Sequence, residues 1–163
     1  KLSRLLVIPV SGFVRPFVFF IAQNTTAQQP DRVHTGLREG RRILFFYSLL
    51  VAALCIGLNG PLLRLFTTDA AAAAYGSTML AFEGISYVFT AQKHLCEARL
   101  RGAQKMGLYL ASNLGQIGLN LAACVLLVPR IGFSGFWLST WISAPAGLAL
   151  AALLARIGAK QQS

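Results

Sequence analysis

Five stretches of apolar residues are each long enough, or nearly so, to cross the hydrocarbon core of a bilayer. A helix rises about 1.5 Å per residue, so about 20 residues cross a core about 30 Å thick. The stretches are residues 5–23, 43–66, 70–92, 107–129 and 132–155. The chain is 55% hydrophobic and 12% charged, a balance that is atypical of soluble domains. We therefore predict an all-α membrane protein with five transmembrane helices.

Basic residues are concentrated between the predicted spans. The chain has 15 Lys and Arg against 5 Asp and Glu, a formal net charge of +10. Segments 24–42 and 93–105 each contain four of these basic residues. Short loops rich in Lys and Arg remain on the cytoplasmic side of a membrane. We therefore interpret both segments as cytoplasmic loops, place the C-terminal tail with Arg156 and Lys160 on the same side of the plasma or inner membrane, and expect no nucleic-acid partner.

The sequence lacks the patterns that are typical of catalytic and metal sites. Cys55, Cys96 and Cys124 have no paired spacing, and His34 and His94 lie far apart in or beside the basic segments. No nucleophile is paired with a base, and no phosphate-binding loop is present. We predict that the chain is not an enzyme, that it has no catalytic residue or metal site, and that it needs no cofactor.

Two ionisable residues lie inside predicted spans. Arg15 is near the middle of the first span, where a cation costs about 2.5–3.5 kcal/mol on insertion scales unless it is paired or hydrated. Glu83 is the one acidic residue predicted to lie well within the hydrocarbon. One interpretation is that the long side chain of Arg15 reaches the cytoplasmic interface. The other is that both residues contribute to a polar cavity.

Polar residues also recur at helical spacing in two of the predicted spans. Ser86 and Thr90 follow Glu83 on one face of the third span. The fourth span carries a second stripe, formed by Asn113, Gln116 and Asn120. Such residues either join helices by hydrogen bonds, at about 0.6–2 kcal/mol each, or line a cavity. We predict that the two stripes and Arg15 form a substrate or ion path.

Several short motifs follow one another in an order that is similar to a known family. The first span ends in PFVFFIAQN (residues 16–24), and DRVHTGLREG (31–40) follows it. The second span leads into GPLLRLFTTD (60–69), and the fifth begins with GFSGFWLSTWISA (132–144). These motifs resemble "P-F-x-x-Q-N-x-G-A", "D-R-V", "P-L-x-x-L-F-T-x-D" and "G-x-x-G-x-W" of the multidrug and toxin extrusion (MATE) transporters. The resemblance spans nearly the whole chain.

The chain departs from the family pattern at two places. Thr25, Thr26 and Gln28 occupy positions where the family usually has a glycine-rich loop. Some members use an aspartate for cation coupling at a position that corresponds to the vicinity of Thr90. No acid is present there, although Glu83 lies two helical turns earlier.

The resemblance implies efflux of small organic compounds, often cationic, by antiport with sodium ions or protons. Residues 1–163 would be helices two to six of a six-helix C-terminal lobe. Its partners would be membrane lipid, the substrates and an N-terminal lobe, because a chain that starts at Lys1 is expected to be a fragment. One alternative is a lipid-linked oligosaccharide flippase of the same superfamily, in which Arg15 meets a diphosphate. Another is a helical membrane bundle that transports nothing.

The charge distribution predicts the side of the membrane on which each segment lies. Single cysteines at Thr35→Cys and Ala70→Cys are introduced into the full-length protein without its native cysteines. A membrane-impermeant thiol reagent added to intact cells should label position 70, and it should label position 35 after the cells are permeabilised. Labelling of position 35 but not position 70 in intact cells would contradict the orientation.

Overall fold

The computed structural model describes residues 2–64 and 70–160 of the chain. Over these residues the chain forms six α-helices and no strand. The helices are α1 (Leu2–Thr26), α2 (Pro30–Gly57), α3 (Asn59–Arg64), α4 (Ala70–Gly102), α5 (Met106–Ile131) and α6 (Ser134–Lys160). The all-α prediction is confirmed for the part of the chain that is described.

The two basic segments are mostly helical, so their interpretation as loops is wrong. α2 begins at Pro30, before the predicted span that starts at 43, and α4 continues to Gly102, past the span that ends at 92. Proline suits the first helical turn because the N–H that it lacks would have no partner there, and Asp31 complements the positive end of the helix. Lys, Arg, Glu and Gln are good helix formers. Charge therefore ends the apolar spans without ending the helices.

The predicted second span contains a break. The apolar pattern predicts one helix over residues 43–66, but α2 ends at Gly57 and α3 begins at Asn59. Glycine and asparagine both have low helix propensity, which weakens the helix at this point. Residues 65–69 of the motif GPLLRLFTTD, which include Asp69, lie outside the described residues.

The reversal between α5 and α6 is tighter than predicted. The sequence predicts a turn over residues 129–132, but α5 continues through Pro129 to Ile131. The chain reverses at Gly132, which has φ 66° and ψ −149°. Glycine adopts this backbone conformation readily because it has no Cβ. The turn therefore depends on the glycine and not on the proline.

The long helix α4 is the centre of the bundle, because it contacts each of the other five described helices. One buried apolar cluster joins α4 to α1 and α2 and includes Ile21, Leu44 and Leu95. A second cluster joins α4 to α6 and includes Leu100 and Ala151. α5 packs on α6 and α4. α4 thus connects α1 and α2 on one side of the bundle to α5 and α6 on the other.

The exterior of the bundle is apolar. Phe46, Leu114 and Phe133 are 68%, 66% and 70% exposed, and many other large apolar side chains also face outward. Exposed apolar surface on this scale is unfavourable in water and favourable in lipid. Three of the described helices, α2, α5 and α6, are long and apolar enough to cross a membrane. The prediction of five spans is therefore not confirmed in full.

Gly102 brings the end of α4 against α1. A Cβ at this position would lie 2.7 Å from Cβ of Ile21 and 2.9 Å from the carbonyl oxygen of Val18. Overpacking of this kind costs about 1–3 kcal/mol. We expect Gly102→Ala to lower the thermal unfolding temperature of the full-length protein in detergent.

Gly107→Ala on α5 is the matched control, because no neighbouring atom lies within 4 Å of the position that a Cβ would take there. Alanine is the better helix former, so Gly107→Ala should leave the unfolding temperature unchanged or raise it slightly. Equal unfolding temperatures for the two variants would show that the contact at Gly102 is not tight.

Candidate functional site

The polar stripe predicted on α5 lies at contacts with neighbouring helices. The side-chain amide of Asn120 donates to Oγ of Ser143 on α6 at 3.0 Å. The amide of Gln116 lies against Gly147, where an added Cβ would be 2.7 Å from its Cδ. These two residues therefore face α6, and their polar groups are turned away from the apolar exterior.

The third member of that stripe faces α4. Oδ1 of Asn113 lies 3.5 Å from the ammonium of Lys93, which donates to it. The amide nitrogen of Asn113 donates to the backbone carbonyl of Tyr109 at 3.1 Å, one turn earlier on α5. Asn113 thus connects α5 to a charged residue of α4.

The stripe predicted on α4 has a different arrangement. Ser86 is buried, and Thr90 donates its hydroxyl to the carbonyl of Ser86 at 3.1 Å. Glu83 is half-buried, and the residue after it, Gly84, packs against Cys55 of α2, where an added Cβ would lie 2.9 Å from Cβ of Cys55. This region of α4 therefore packs against α2, while the α5 stripe faces α6 and α4. The two stripes border different helix contacts.

Arg15 is exposed on α1 and forms no ion pair within residues 2–64 and 70–160. The structure does not bring Arg15 and Glu83 together as an ion pair in that part of the chain. Glu83 has other contacts. Neither residue's predicted place in a polar cavity therefore rests on a direct contact between the two in this part of the chain.

α4 contains a buried ion pair that the sequence-based predictions do not include. Nζ of Lys93 lies 2.8 Å from Oε1 of Glu97, and the two side chains are 5% and 4% exposed. A Lys and a Glu four residues apart on a helix are neighbours on one face. This spacing could have identified the pair, but in a segment interpreted as a loop the spacing has no meaning.

The carboxylate of Glu97 is held by two helices. Besides Lys93, Nδ1 of His94 lies 3.3 Å from Oε2 of Glu97. Ser112 of α5 is fully buried and donates its hydroxyl to Oε1 at 3.4 Å. With Asn113, which accepts from Lys93, these residues form a polar cluster between α4 and α5. We call Lys93, His94, Glu97, Ser112 and Asn113 the α4–α5 polar cluster.

Glu97 lies beyond the predicted span 70–92, near the charged end of α4. Five residues earlier on α4, the side-chain amide of Gln92 donates to the carbonyl of Arg41 at 3.1 Å, so this end of α4 meets the basic part of α2. Burial alone would raise the pKa of the Glu97 carboxyl. The hydrogen bonds from His94 and Lys93 outweigh burial and lower the pKa below its ordinary value. Glu97 is therefore an ionised carboxylate whose charge is balanced by the ammonium of Lys93.

The apolar exterior, the three apolar helices long enough to cross a membrane, and the polar groups turned towards helix contacts define a multi-pass helical membrane protein. The family model described as MatE matches residues 2–126. The chain belongs to this family of multidrug and toxin extrusion transporters, as the order of its sequence motifs predicted.

One curated relative is described as "Probable multidrug resistance protein NorM" of Chromobacterium violaceum. It is 32% identical over 118 residues, which cover 67% of this chain. The chain covers 25% of that relative's length, so the two are compared over a part of the relative only. No solved structure matches the chain.

The buried pair of Lys93 and Glu97 should be far more sensitive to substitution than an exposed pair. Lys93→Met or Glu97→Gln alone leaves one charge buried, which costs about 3–5 kcal/mol. The double variant should cost less than the sum of the two single variants, because it leaves no charge unpaired. Thermal or denaturant unfolding of the full-length protein measures these differences.

The exposed pair of Arg42 and Glu39, with atoms 3.3 Å apart, is the matched control. An exposed pair contributes about 0–1 kcal/mol, so Arg42→Met and Glu39→Gln should have small effects. Additive effects for Lys93→Met and Glu97→Gln would show that the two groups are not coupled in the folded protein.

Proposed function

We propose that the chain is part of the C-terminal lobe of a secondary transporter that exports organic compounds, often cationic, by antiport with sodium ions or protons. Membership of the MatE family supports this proposal. The relative described as a multidrug resistance protein supports the class of substrate. The chain covers a quarter of that relative, so the activity belongs to the whole protein.

The observation that carries the proposal is the set of polar groups at the contacts of α4, α5 and α6. Polar and charged side chains are costly in a membrane, and they recur where substrates and ions pass. Asn120 and Gln116 face α6, while Asn113 faces the ion pair of α4. These groups give the lobe a polar interior inside an apolar exterior.

Glu83 is better suited than Glu97 to exchange a coupling ion. The carboxylate of Glu97 is buried and already neutralised by Lys93 at 2.8 Å. A second cation would have to displace that lysine. Glu83 is half-buried, so an ion can reach it at a smaller cost of dehydration. We assign ion coupling to Glu83 and a role in holding α4 against α5 to Glu97.

We also propose that the C-terminal end of α6 lies on the cytoplasmic side of the cell membrane. Gly158 of α6 lies beside Leu100 of α4 and Lys105, so the end of α6 and the end of α4 are at the same end of the bundle. The basic residues of α2 and α4 are at that end, and such residues favour the cytoplasmic side.

Export of a fluorescent organic cation by the full-length protein tests the proposal. Glu83→Gln keeps the shape of the side chain but cannot release a proton or bind a cation by charge. We expect it to lower export by about tenfold or more, which corresponds to about 1.4 kcal/mol. Arg15→Ala and the double variant show whether Arg15 acts together with Glu83.

Glu39→Gln is the control, because Glu39 is an exposed carboxylate that pairs with Arg38 and Arg42. It should export normally. Normal export together with normal expression for Glu83→Gln, Arg15→Ala and the double variant would refute a role for these residues in transport. Their polarity would then be structural.

A further inference from the structure

A basic cleft lies between α2 and α4 at the charged end of the bundle. Its volume is about 390 Å³. Three arginines line it, together with smaller polar residues and two leucines: Arg38, Arg41, Arg99, Leu37 and Leu95. No described carboxylate lines the cleft. The cleft therefore concentrates positive charge.

The arginines of this cleft are not neutralised equally. Glu39 pairs with Arg38 at 3.6 Å and with Arg42 at 3.3 Å on the exposed face of α2. Neither Arg41 nor Arg99 forms an ion pair with a carboxylate in the part of the chain that the structure describes. Burial lowers the pKa of Arg99, and the positive charge of Arg41 acts in the same direction. Two close cations without a counter-charge favour the binding of an anion.

An apolar groove adjoins the basic cleft. Its volume is about 560 Å³, and Phe45, Phe46, Leu148 and Ala152 provide its apolar walls. Arg41 and Cys96 line both the groove and the cleft, so the two spaces meet at these residues. The groove runs between α2, α4 and α6. A ligand that fills both spaces must have an anionic head and an apolar chain.

The two spaces meet where α2 changes from charged to apolar. The charged residues of α2 end at Arg42, and the apolar part of the helix starts at Ile43. Phe45 and Phe46 lie about one helical turn, or about 6 Å, from Arg41 and Arg42. In a membrane such a boundary lies where headgroups meet acyl chains. The height of the cleft therefore matches the height of a lipid phosphate.

We propose that the basic cleft and the apolar groove together bind one anionic phospholipid. Its phosphate lies between the guanidinium groups of Arg41 and Arg99, and one acyl chain lies along Phe45 and Phe46. Basic pockets between membrane helices are suited to anionic headgroups, and each basic residue near such a surface contributes about 1 kcal/mol. The proposal rests on the chain being embedded in a membrane and does not depend on antiport. It places the lipid in the cytoplasmic leaflet if the proposed orientation holds.

Binding to the full-length protein in detergent tests the proposal with three probes. The probes are a short-chain phosphatidylglycerol, a short-chain phosphatidylcholine and inorganic phosphate, each added in increasing amounts while the thermal unfolding temperature is measured. A ligand that binds only the folded protein raises this temperature as its concentration increases. We expect phosphatidylglycerol to raise it most. Mass spectrometry of protein extracted from membranes of phosphatidylcholine and phosphatidylglycerol in equal parts shows whether the anionic lipid is retained.

The variant Arg41→Gln/Arg99→Gln removes both cations that have no carboxylate partner. Loss of about 2 kcal/mol should weaken the affinity for phosphatidylglycerol about 30-fold. Arg32→Gln/Arg156→Gln is the matched control. It removes two exposed charges from the same end of the bundle, and neither residue lines the cleft or the groove. The control should bind the lipid as the unmodified protein does.

Phe46→Ala separates a lipid from a free anion. It should weaken the affinity for phosphatidylglycerol and leave any effect of inorganic phosphate unchanged. Three results would each overturn the proposal. In the first, inorganic phosphate raises the unfolding temperature as much as the lipid does and Phe46→Ala has no effect, which indicates a site for a soluble anion. The two arginine variants could bind the lipid equally well. The unmodified protein could retain no anionic lipid, which indicates that another part of the full-length chain covers the cleft.

Discussion

Close approach of helices around α4 is the interaction on which the rest of the structure depends. Lipid tails are as apolar as leucine, so burial of apolar surface alone does not hold membrane helices together. Helices must instead approach closely, which requires small residues at their contacts. Ala91 and Ala98 of α4 are completely buried, and Gly84 lies against Cys55 of α2. Larger side chains at these positions would separate α4 from its neighbours and open the bundle.

The serine side chains at the contact of α5 and α6 donate hydrogen bonds within their own helix. Ser139 donates to the carbonyl of Phe136 at 2.7 Å, and Ser143 donates to that of Thr140 at 3.1 Å, each within α6. Ser143 also accepts from Asn120 of α5 at 3.0 Å. A polar group without a partner in a membrane interior costs several kcal/mol. Short serine side chains therefore allow α5 and α6 to pack closely and still satisfy the longer amide of Asn120.

The sequence predicts those features of the fold that depend on a single local pattern. Apolar runs locate the long helices, and a helical spacing locates the stripe of Asn113, Gln116 and Asn120, because both signals depend only on local geometry. The ion pair of Lys93 and Glu97 escapes prediction when hydropathy is used to mark the end of α4. Hydropathy reports where a helix leaves the hydrocarbon, whereas helix propensity decides where it ends. The neighbours of Glu97 from α5 depend on tertiary packing, which no local pattern contains.

The distribution of charge at the basic end of the bundle follows from two different demands. Lys93 and Glu97 are buried between helices, where a charge must be neutralised within the protein, and their 2.8 Å contact does so. Arg41 and Arg99 line an open cleft, where the neutralising charge can come from outside the chain. A chain with 15 basic and 5 acidic residues cannot pair all of its cations internally. In the proposed lipid site, an anionic headgroup supplies the opposite charge for Arg41 and Arg99.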